Sequence, residues 1–394
     1  MVADVKHSMT RAPNGPSTLV RAFRALCSET PLSRGALRRG LAVSPSTVTD
    51  AVATLMHLGF VREVGHADST GGRPAGLLEL SPALGGVLAA DVGGLRIRVA
   101  AADLLGRVIA QRTYLTPVRP TELRRALVDA LGEMKEAHPG PSRALCVSIA
   151  GAVNPKTGEI SATNNIAGWR DPTTPAWLGE VAQPLLIENE ANMAAFGEYH
   201  HGAARGTRIA LFIALGAGIG AGLILSGELF RGASGAAGEI GLSVSSSRSS
   251  ARVLEQDLSG PALLAAYGEA GGHALDNPSA LFGLAQAGDM AAVRVVNRAL
   301  DRLAINLSHV LLMVNPDRVI IGGGLATAGE LLLSPLRRRT QALLRTAAPE
   351  MVLSELGPDA ALMGAATWAA EVAVERLAAE LAAGPAGQFH SALW

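Results

Sequence analysis

The sequence predicts an α/β protein in two parts: an N-terminal winged helix-turn-helix, then a larger two-lobed α/β domain built by duplication. Three observations predict it. Within residues 17–81, apolar residues at helical spacing, a Ser-Pro helix start and a Gly-rich loop between two short strands follow in order. From about Gly86 the pattern changes to short strands joined by tight glycine turns. That strand–Gly–strand unit then returns about 125 residues later, the mark of an approximate internal repeat.

The elements follow in chain order. Residues 1–16 are polar, contain Pro and Gly, and are expected to form a flexible arm. Leu19, Phe23 and Leu26 recur at helical spacing, and Pro31-Leu32 breaks that helix. Ser33 caps a short second helix to about Arg39, and Gly40–Ser44 makes the turn. Ser44 caps the third helix, with Pro45 at its first position, where a missing N–H costs nothing. Val48, Val52, Leu55 and Met56 form its expected apolar face, and Gly59 ends it. Phe60–Val64, a polar glycine loop and Leu77–Leu80 make strand, loop and strand: the wing.

Val87–Asp91, Arg96–Ala102 and Arg107–Thr113 then predict three strands, followed by a helix from about Thr121 and a strand at Ala144–Ile149. The second copy is Ile209–Leu215, Ala221–Leu225 and Glu228–Phe230. Two copies imply two lobes with a cleft between them. Asp289–Val314 has strong helical character and is expected to wedge the lobes, and a loose tail is expected over residues 383–394. The domain boundaries expected are 17–81 and 82–382.

Composition narrows the function classes. The chain is 48% hydrophobic and 17% charged, which allows a large core and argues against global disorder. Aromatics make up only 4%, which weakens any base-stacking or aromatic sugar platform. The 34 basic and 34 acidic residues cancel, yet residues 1–80 are basic, with Arg21, Arg24, Arg34, Arg38, Arg39, Arg62 and Arg73 among them. A basic end on a neutral chain fits a small DNA module on a larger neutral domain. Cys27 and Cys146 lie too far apart in sequence for a CxxC knuckle or a disulfide framework. No apolar run approaches membrane length, and the first residues do not form a signal peptide, so a cytoplasmic protein with no membrane partner is expected.

The third helix opens Ser44-Pro45-Ser46-Thr47-Val48-Thr49. The small hydroxyls of Ser44, Ser46, Thr47 and Thr49 suit phosphates and major-groove edges at a helix N-terminus. In the wing, Gly71-Gly72 permits close backbone approach, and Arg73 can enter a narrow minor groove. A helical trio making only protein contacts is the plainer alternative, with the hydroxyls serving as caps.

These helices with the Gly-Gly-Arg-Pro wing resemble the N-terminus of the ROK family (repressors, open reading frames, kinases), in its regulator branch. The resemblance continues over roughly residues 17–375 through several motifs in order. It implies an actin-like/sugar-kinase (ASKHA) duplicated α/β domain. Asp91-Val92-Gly93-Gly94-Leu95 resembles the family's phosphate loop DIGGTK, with Leu95 in place of the hydroxyl residue. Leu215–Gly222 resembles LGTGIGAG, with Ala217 again lacking the hydroxyl, and Gly322-Gly323-Gly324 resembles the adenosine-side motif. Any one of these glycine loops alone would also fit a bare hairpin.

On the sugar side, Asn164–Trp169 resembles N-L-x-G-W, which implies that Asn165 bonds a sugar hydroxyl. Glu188–Asn192 resembles ENDAN, implying sugar contacts from Asn189 and from Glu190, which stands where the family's Asp is both contact and general base. The longer side chain matters because displacement near 1 Å can cost phosphoryl transfer ~100-fold. Gly238–Leu242 resembles GEIGH: Glu239 is kept as a hydroxyl acceptor, while the His is Leu242, expected to give the pocket a methyl face. The family's zinc cysteines are absent from residues 244–250, so no metal is expected. Leu254-Glu255 and Ser259–Leu263 resemble LExxxSGPAL, implying a further sugar contact from Glu255.

The resemblance therefore implies a DNA-binding transcriptional regulator, a repressor, that senses a sugar or sugar derivative in a catalytically degenerate cleft. Its expected partners are a double-stranded DNA operator, the effector, and further copies of itself as a homodimer or homotetramer. No cofactor and no catalytic residue are expected, Glu190 marking the degenerate base position. The alternative is a bifunctional protein that binds DNA and retains ATP-dependent sugar kinase activity; Leu95, Ala217, Glu190, Leu242 and the missing cysteines argue against it. A lone sugar kinase with an unrelated extension leaves the wing unexplained.

Overall fold

The computed structural model describes residues 16–66, 76–161, 166, 177–244 and 252–384. The N-terminal arm, the wing tip with Gly72 and Arg73, Asn165 and Trp169, the 245–251 loop and the tail beyond Gly384 lie outside the described residues.

The first unit runs α1 (Thr18–Ser28), β1 (Leu32–Ser33), α2 (Arg34–Leu41), α3 (Pro45–His57), β2 (Val61–His66) and β3 (Gly76–Leu80), with sheet order β1-β3-β2. This is the element order of a winged helix-turn-helix. The Pro31-Leu32 break is more than a break: Leu32 and Ser33 pair antiparallel with Leu78 and Leu77 and seat the second helix on the wing sheet. Ser33 Oγ accepts from Ala36 N and Ser44 Oγ from Thr47 N, so both caps form as expected. The buried face of α3 is Val48, Ala51, Val52 and Leu55. Met56 is not on it: it lies one residue past Leu55, outside the buried stripe, and its sulfur meets Arg34 Nη2 at 3.7 Å.

The larger unit begins with β4 (Gly86–Val92), β5 (Arg96–Ala102), β6 (Val108–Leu115), α4 (Pro120–Lys135) and β7 (Ser142–Ile149). The short β8 (Ala152–Val153) and β9 (Ile160–Ser161) pair with each other, and β10 (Leu185–Asn189) leads directly into α5 (Glu190–His201). Next come β11 (Ile209–Leu215), β12 (Ile219–Leu225), β13 (Glu228–Leu229), α6 (Leu254–Leu258), α7 (Gly260–Glu269), α8 (Ala280–Gln286) and α9 (Met290–Val314). The chain closes with β14 (Arg318–Gly322), α10 (Glu330–Leu343), β15 (Glu350–Leu353) and α11 (Ala360–Ala383). The repeat is explicit in the sheets. One has order β10-β7-β4-β5-β6 and the other β13-β12-β11-β14-β15. In each, an antiparallel three-strand meander is extended by two parallel strands.

Strand alternation divides the interior into three cores. Leu88, Ala90, Val92 and Val99 face α4 on the outside of the first sheet. Leu211, Ile213 and Ile321 face α9 and α10 on the outside of the second. Between the sheets, Val87, Ala89, Phe212 and Ile320 enclose α5 and α11, whose Ala and Gly residues are buried on nearly every side. The expectation that Asp289–Val314 wedges the lobes is therefore corrected. That helix buries one apolar face and leaves the other to water, whereas α5 over Ala191–Glu198 and the first half of α11 are buried on nearly every side and fill the middle layer. Gly197 and Gly364 set their spacing: a Cβ at Gly364 would overlap the Met193 carbonyl, and one at Gly197 the Ala360 carbonyl. The middle core also takes in Phe23 and Leu26 of α1. No helix among the described residues is long and apolar enough to cross a membrane.

Candidate functional site

A row of polar residues crosses the first sheet at one level on its inner face. Asp91 pairs in register with Arg98 on one side and Ser148 on the other, and Ser148 with Glu188. Ser148 Oγ donates to Asp91 Oδ1 at 2.7 Å, and Arg98 Nη1 lies 3.2 Å from Asp91 Oδ2. Both carboxylate oxygens of Asp91 are thereby engaged. Burial pushes the Asp91 carboxyl up, and Ser148 and Arg98 hold it part of the way back. Arg98 is held from behind by Asp359, 3.8 Å from its Nε, and Gln111 donates to the same Asp359 at 2.9 Å.

Three more carboxyls come from the segments that the sequence singled out. Glu190 opens α5, Glu239 lies between β13 and α6, and Glu255 is in the first turn of α6. Burial pushes Glu190 up to about 8, and the charges of Asp91, Glu239 and Glu255 add to it against Arg98. Burial, then the Glu255 charge, raises Glu239 as well. Four carboxyls thus share one interlobe site. Backbone contacts fix two of them. Glu255 Oε2 accepts from Ile219 N at 2.9 Å. Gly238, at φ +93°, lies against the Ala221 carbonyl, and its own carbonyl accepts from Ala221 N at 2.7 Å, which sets Glu239 beside β12.

Asn189 is placed at the site but is already at work. Its Oδ1 accepts from Ala191 N and Asn192 N as the cap of α5, and its Nδ2 donates to Gly151 O. One Nδ2 hydrogen is left for a ligand. Asn165 lies outside the described residues. Leu242 is 48% exposed at the end of a single turn, so it presents its methyls to solvent as much as to the site.

The glycine loops converge on the second lobe. Gly260 N donates to Gly216 O at 2.8 Å, and Gly323 packs so closely on the Leu215 carbonyl that no Cβ would fit. Leu95 is 77% exposed and brings no polar group to the Asp91 turn. Among the described residues no group of three His, Cys, Asp or Glu could hold a metal ion.

Sequence reasoning missed Arg98, Ser148, Glu188 and Arg231. Arg98 had a signal: counting back across the Gly93-Gly94 hairpin places it opposite Asp91. Arg231 had none. It follows β13 of the second lobe, pairs with buried Glu188 of the first, and its guanidinium carbon lies 4.8 Å from the centre of the Trp368 ring. Glu188 Oε1 also accepts from Asn189 N and Asn192 Nδ2.

At the other end of the molecule, Ser46 and Thr49 are exposed on α3 beside half-buried Thr47. Ser44 Oγ lies 2.9 Å from Ser46 Oγ and 2.7 Å from Thr47 Oγ1, and Thr49 Oγ1 donates to Pro45 O. Gly72 and Arg73 lie outside the described residues.

The family model described as ROK matches residues 87–372. The bifunctional enzyme NanE/NanK of Brucella melitensis is 33% identical over 289 residues, 72% of this chain but only 54% of that protein. The xylose repressor of Caldicellulosiruptor bescii is 26% identical over 329 residues, 78% of this chain and 82% of the repressor. Among solved structures, a ROK family glucokinase from Streptomyces griseus, in complex with glucose and AMPPNP, superposes with a TM-score of 0.64 at 26% identity. It covers 73% of this chain and all of its own. A ROK family transcriptional regulator, a homologue of the E. coli Mlc protein, superposes with a TM-score of 0.70 over 93% of this chain and 98% of its own. At 18% identity that likeness speaks to the fold alone.

Proposed function

The chain belongs to the ROK family, and on that premise we propose that it is a sequence-specific DNA-binding repressor whose kinase-like cleft senses a sugar or sugar derivative without phosphorylating it. The observation that carries this reading is the shared core. The first helix of a winged helix-turn-helix unit is built into the same apolar interior as the helices that floor the cleft. A sugar-kinase fold gains nothing for catalysis from such an extension. A regulator needs it. The hydroxyls of Ser46, Thr47 and Thr49, with Ser44 as cap and Gly72 and Arg73 in the wing, are the proposed DNA contacts. Asn165, Asn189, Glu190, Glu239 and Glu255 are the proposed effector contacts.

Asp91 supports the absence of catalysis. With Oδ1 on Ser148, Oδ2 on Arg98 and the carboxyl buried, its charge is already balanced by Arg98 rather than left for a metal–nucleotide. In vitro selection of randomised duplex DNA with the full chain tests the regulator reading. A homodimer or homotetramer should enrich a pseudo-palindrome with half-sites one helical turn, or a multiple of it, apart. A selection that returns no motif contradicts it.

One observation favours the second reading, a retained kinase. Glu190, pushed up to about 8, has the proton affinity of a general base. An ATP-coupled assay with common hexoses and N-acetylhexosamines decides between the two; turnover above roughly 1 s⁻¹ would replace the sensor reading.

A further inference from the structure

The Arg231–Trp368 contact joins the candidate effector site to α11, the helix that shares a core with α1 of the winged unit. The loop that carries Glu239 is tied back to Arg231, whose carbonyl accepts from Ala237 N at 3.3 Å. The Arg231 side chain leaves that loop, pairs with Glu188 beneath Asn189 and Glu190, and lies across the face of Trp368 on α11. Trp368, Glu371 and Glu375 follow at i, i+3 and i+7, so they share one stripe of α11 and span about 10 Å of its axis. Glu371 lies 3.7 Å from His200 Nε2 of α5. Glu375 reaches Arg24 Nη2 of α1 at 2.7 Å. Burial, followed by the Glu375 charge, pushes the neighbouring Cys27 thiol of α1 up to about 12.

A second strut runs parallel to the first. Glu190 is the first residue of α5, and α5 crosses α11 at Gly197 and Gly364 without room for a Cβ. His201 of α5 and Thr367 of α11 add a ring-nitrogen-to-hydroxyl contact of 2.7 Å at the same crossing. A packed interior transmits displacement because it has no free volume to absorb it. Movement of the Glu239 loop or of the Glu190 end of α5 therefore reaches α11. From there it reaches α1, with which α11 shares a core.

We propose that the Arg231–Trp368 contact and helix α11 form the output linkage of this protein, carrying occupancy of the cleft to the DNA module. The proposal rests on the sensing reading given above for the role of the signal, but the mechanical linkage is a property of the fold and can be tested without a ligand. Arg231 is a positioning residue in this scheme. It touches Glu188 and Trp368, and acts on the effector site through the loop it anchors.

The test joins hydrogen exchange of the full chain with operator binding. Trp368→Leu keeps a good helix former and removes the stacking surface. The linkage predicts several-fold faster exchange both in residues 228–239 and in residues 18–41. Glu375→Gln breaks the far end at an exposed pair that contributes little to stability, so it serves where Trp368→Leu perturbs folding. Coupling is reciprocal, so Glu375→Gln must speed exchange in residues 228–239. Leu303→Ala, a volume loss on the outer face of the second lobe, must leave residues 18–41 unchanged. Exchange changes confined to the neighbourhood of each substitution would overturn the linkage.

Glucose, xylose and N-acetylmannosamine are the probes in the binding arm. Where one of them shifts operator affinity of the wild-type chain, Trp368→Leu must still bind that sugar and the operator while the shift disappears. A shift of unchanged size contradicts the linkage. If none of the three shifts operator affinity, the sensing reading fails for these sugars, and the exchange experiment still decides whether cleft and DNA module are joined.

Discussion

Glu190 is the residue whose chemistry is most altered by its surroundings. An isolated Glu ionises near 4.3, and here burial beside three other carboxyls raises it to about 8. Its folded-state pKa is raised, so its contribution to stability is fully present below the unfolded value and is lost as pH rises toward 8. Glu190→Gln should therefore leave stability little changed near pH 4 and raise it by roughly 2–5 kcal/mol at pH 8, read as a denaturation midpoint at each pH. Equal stabilities at pH 8 would mean that Glu190 ionises freely. Arg98 is the complementary case. Removing it leaves the buried Asp91 with the Ser148 hydroxyl but without its counter-charge, so Arg98→Leu should cost about 3–5 kcal/mol. Adding Asp91→Asn should restore most of that loss in a double-mutant cycle. Strict additivity would show that the two side chains do not interact.

At the scale of elements, the hydroxyls of α3 let folding and the proposed DNA contact be tested apart. Ser44 Oγ caps the helix, so Ser44→Ala should lower stability by about 1 kcal/mol. Thr49 is exposed and bonded only to its own helix, so Thr49→Ala should move stability by less than about 0.5 kcal/mol. If Thr49 meets DNA, the same substitution should weaken operator binding by about 1–3 kcal/mol. Normal binding by Thr49→Ala would remove it from the interface. Much of this unit was legible in the sequence, because caps, turns and short amphipathic helices are local signals. The duplicated meanders were legible for the same reason. The placement of α9 was not, because a helical period says which face is apolar but not which sheet it covers. Nor was the role of α11. Its Ala and Gly carry no pattern, and only the crossing of Gly197 with Gly364 shows why small residues are needed there. Gly364→Ala should cost about 1–3 kcal/mol by forcing that crossing apart.

The whole molecule is two matching lobes with a shared helical layer, and a winged unit set into that layer by α1. The segments that carry the candidate site were legible as motifs, and Glu190, Glu239 and Glu255 lie near enough to one another and to Asp91 for their charges to interact. What the sequence could not supply was Glu188 with Arg231, a pair made across the lobes by tertiary packing from residues far apart in the chain. In the proposed regulator, a ligand changes DNA affinity only through its differential affinity for two arrangements of the lobes. Fluorescence anisotropy of the full chain on its own upstream intergenic DNA, at fixed salt, with and without a panel of sugars, measures this most directly. Tight, sequence-selective binding that one sugar alters is the predicted result. Weak binding equal for unrelated DNA, unchanged by every sugar and accompanied by ATP-dependent turnover, would contradict it.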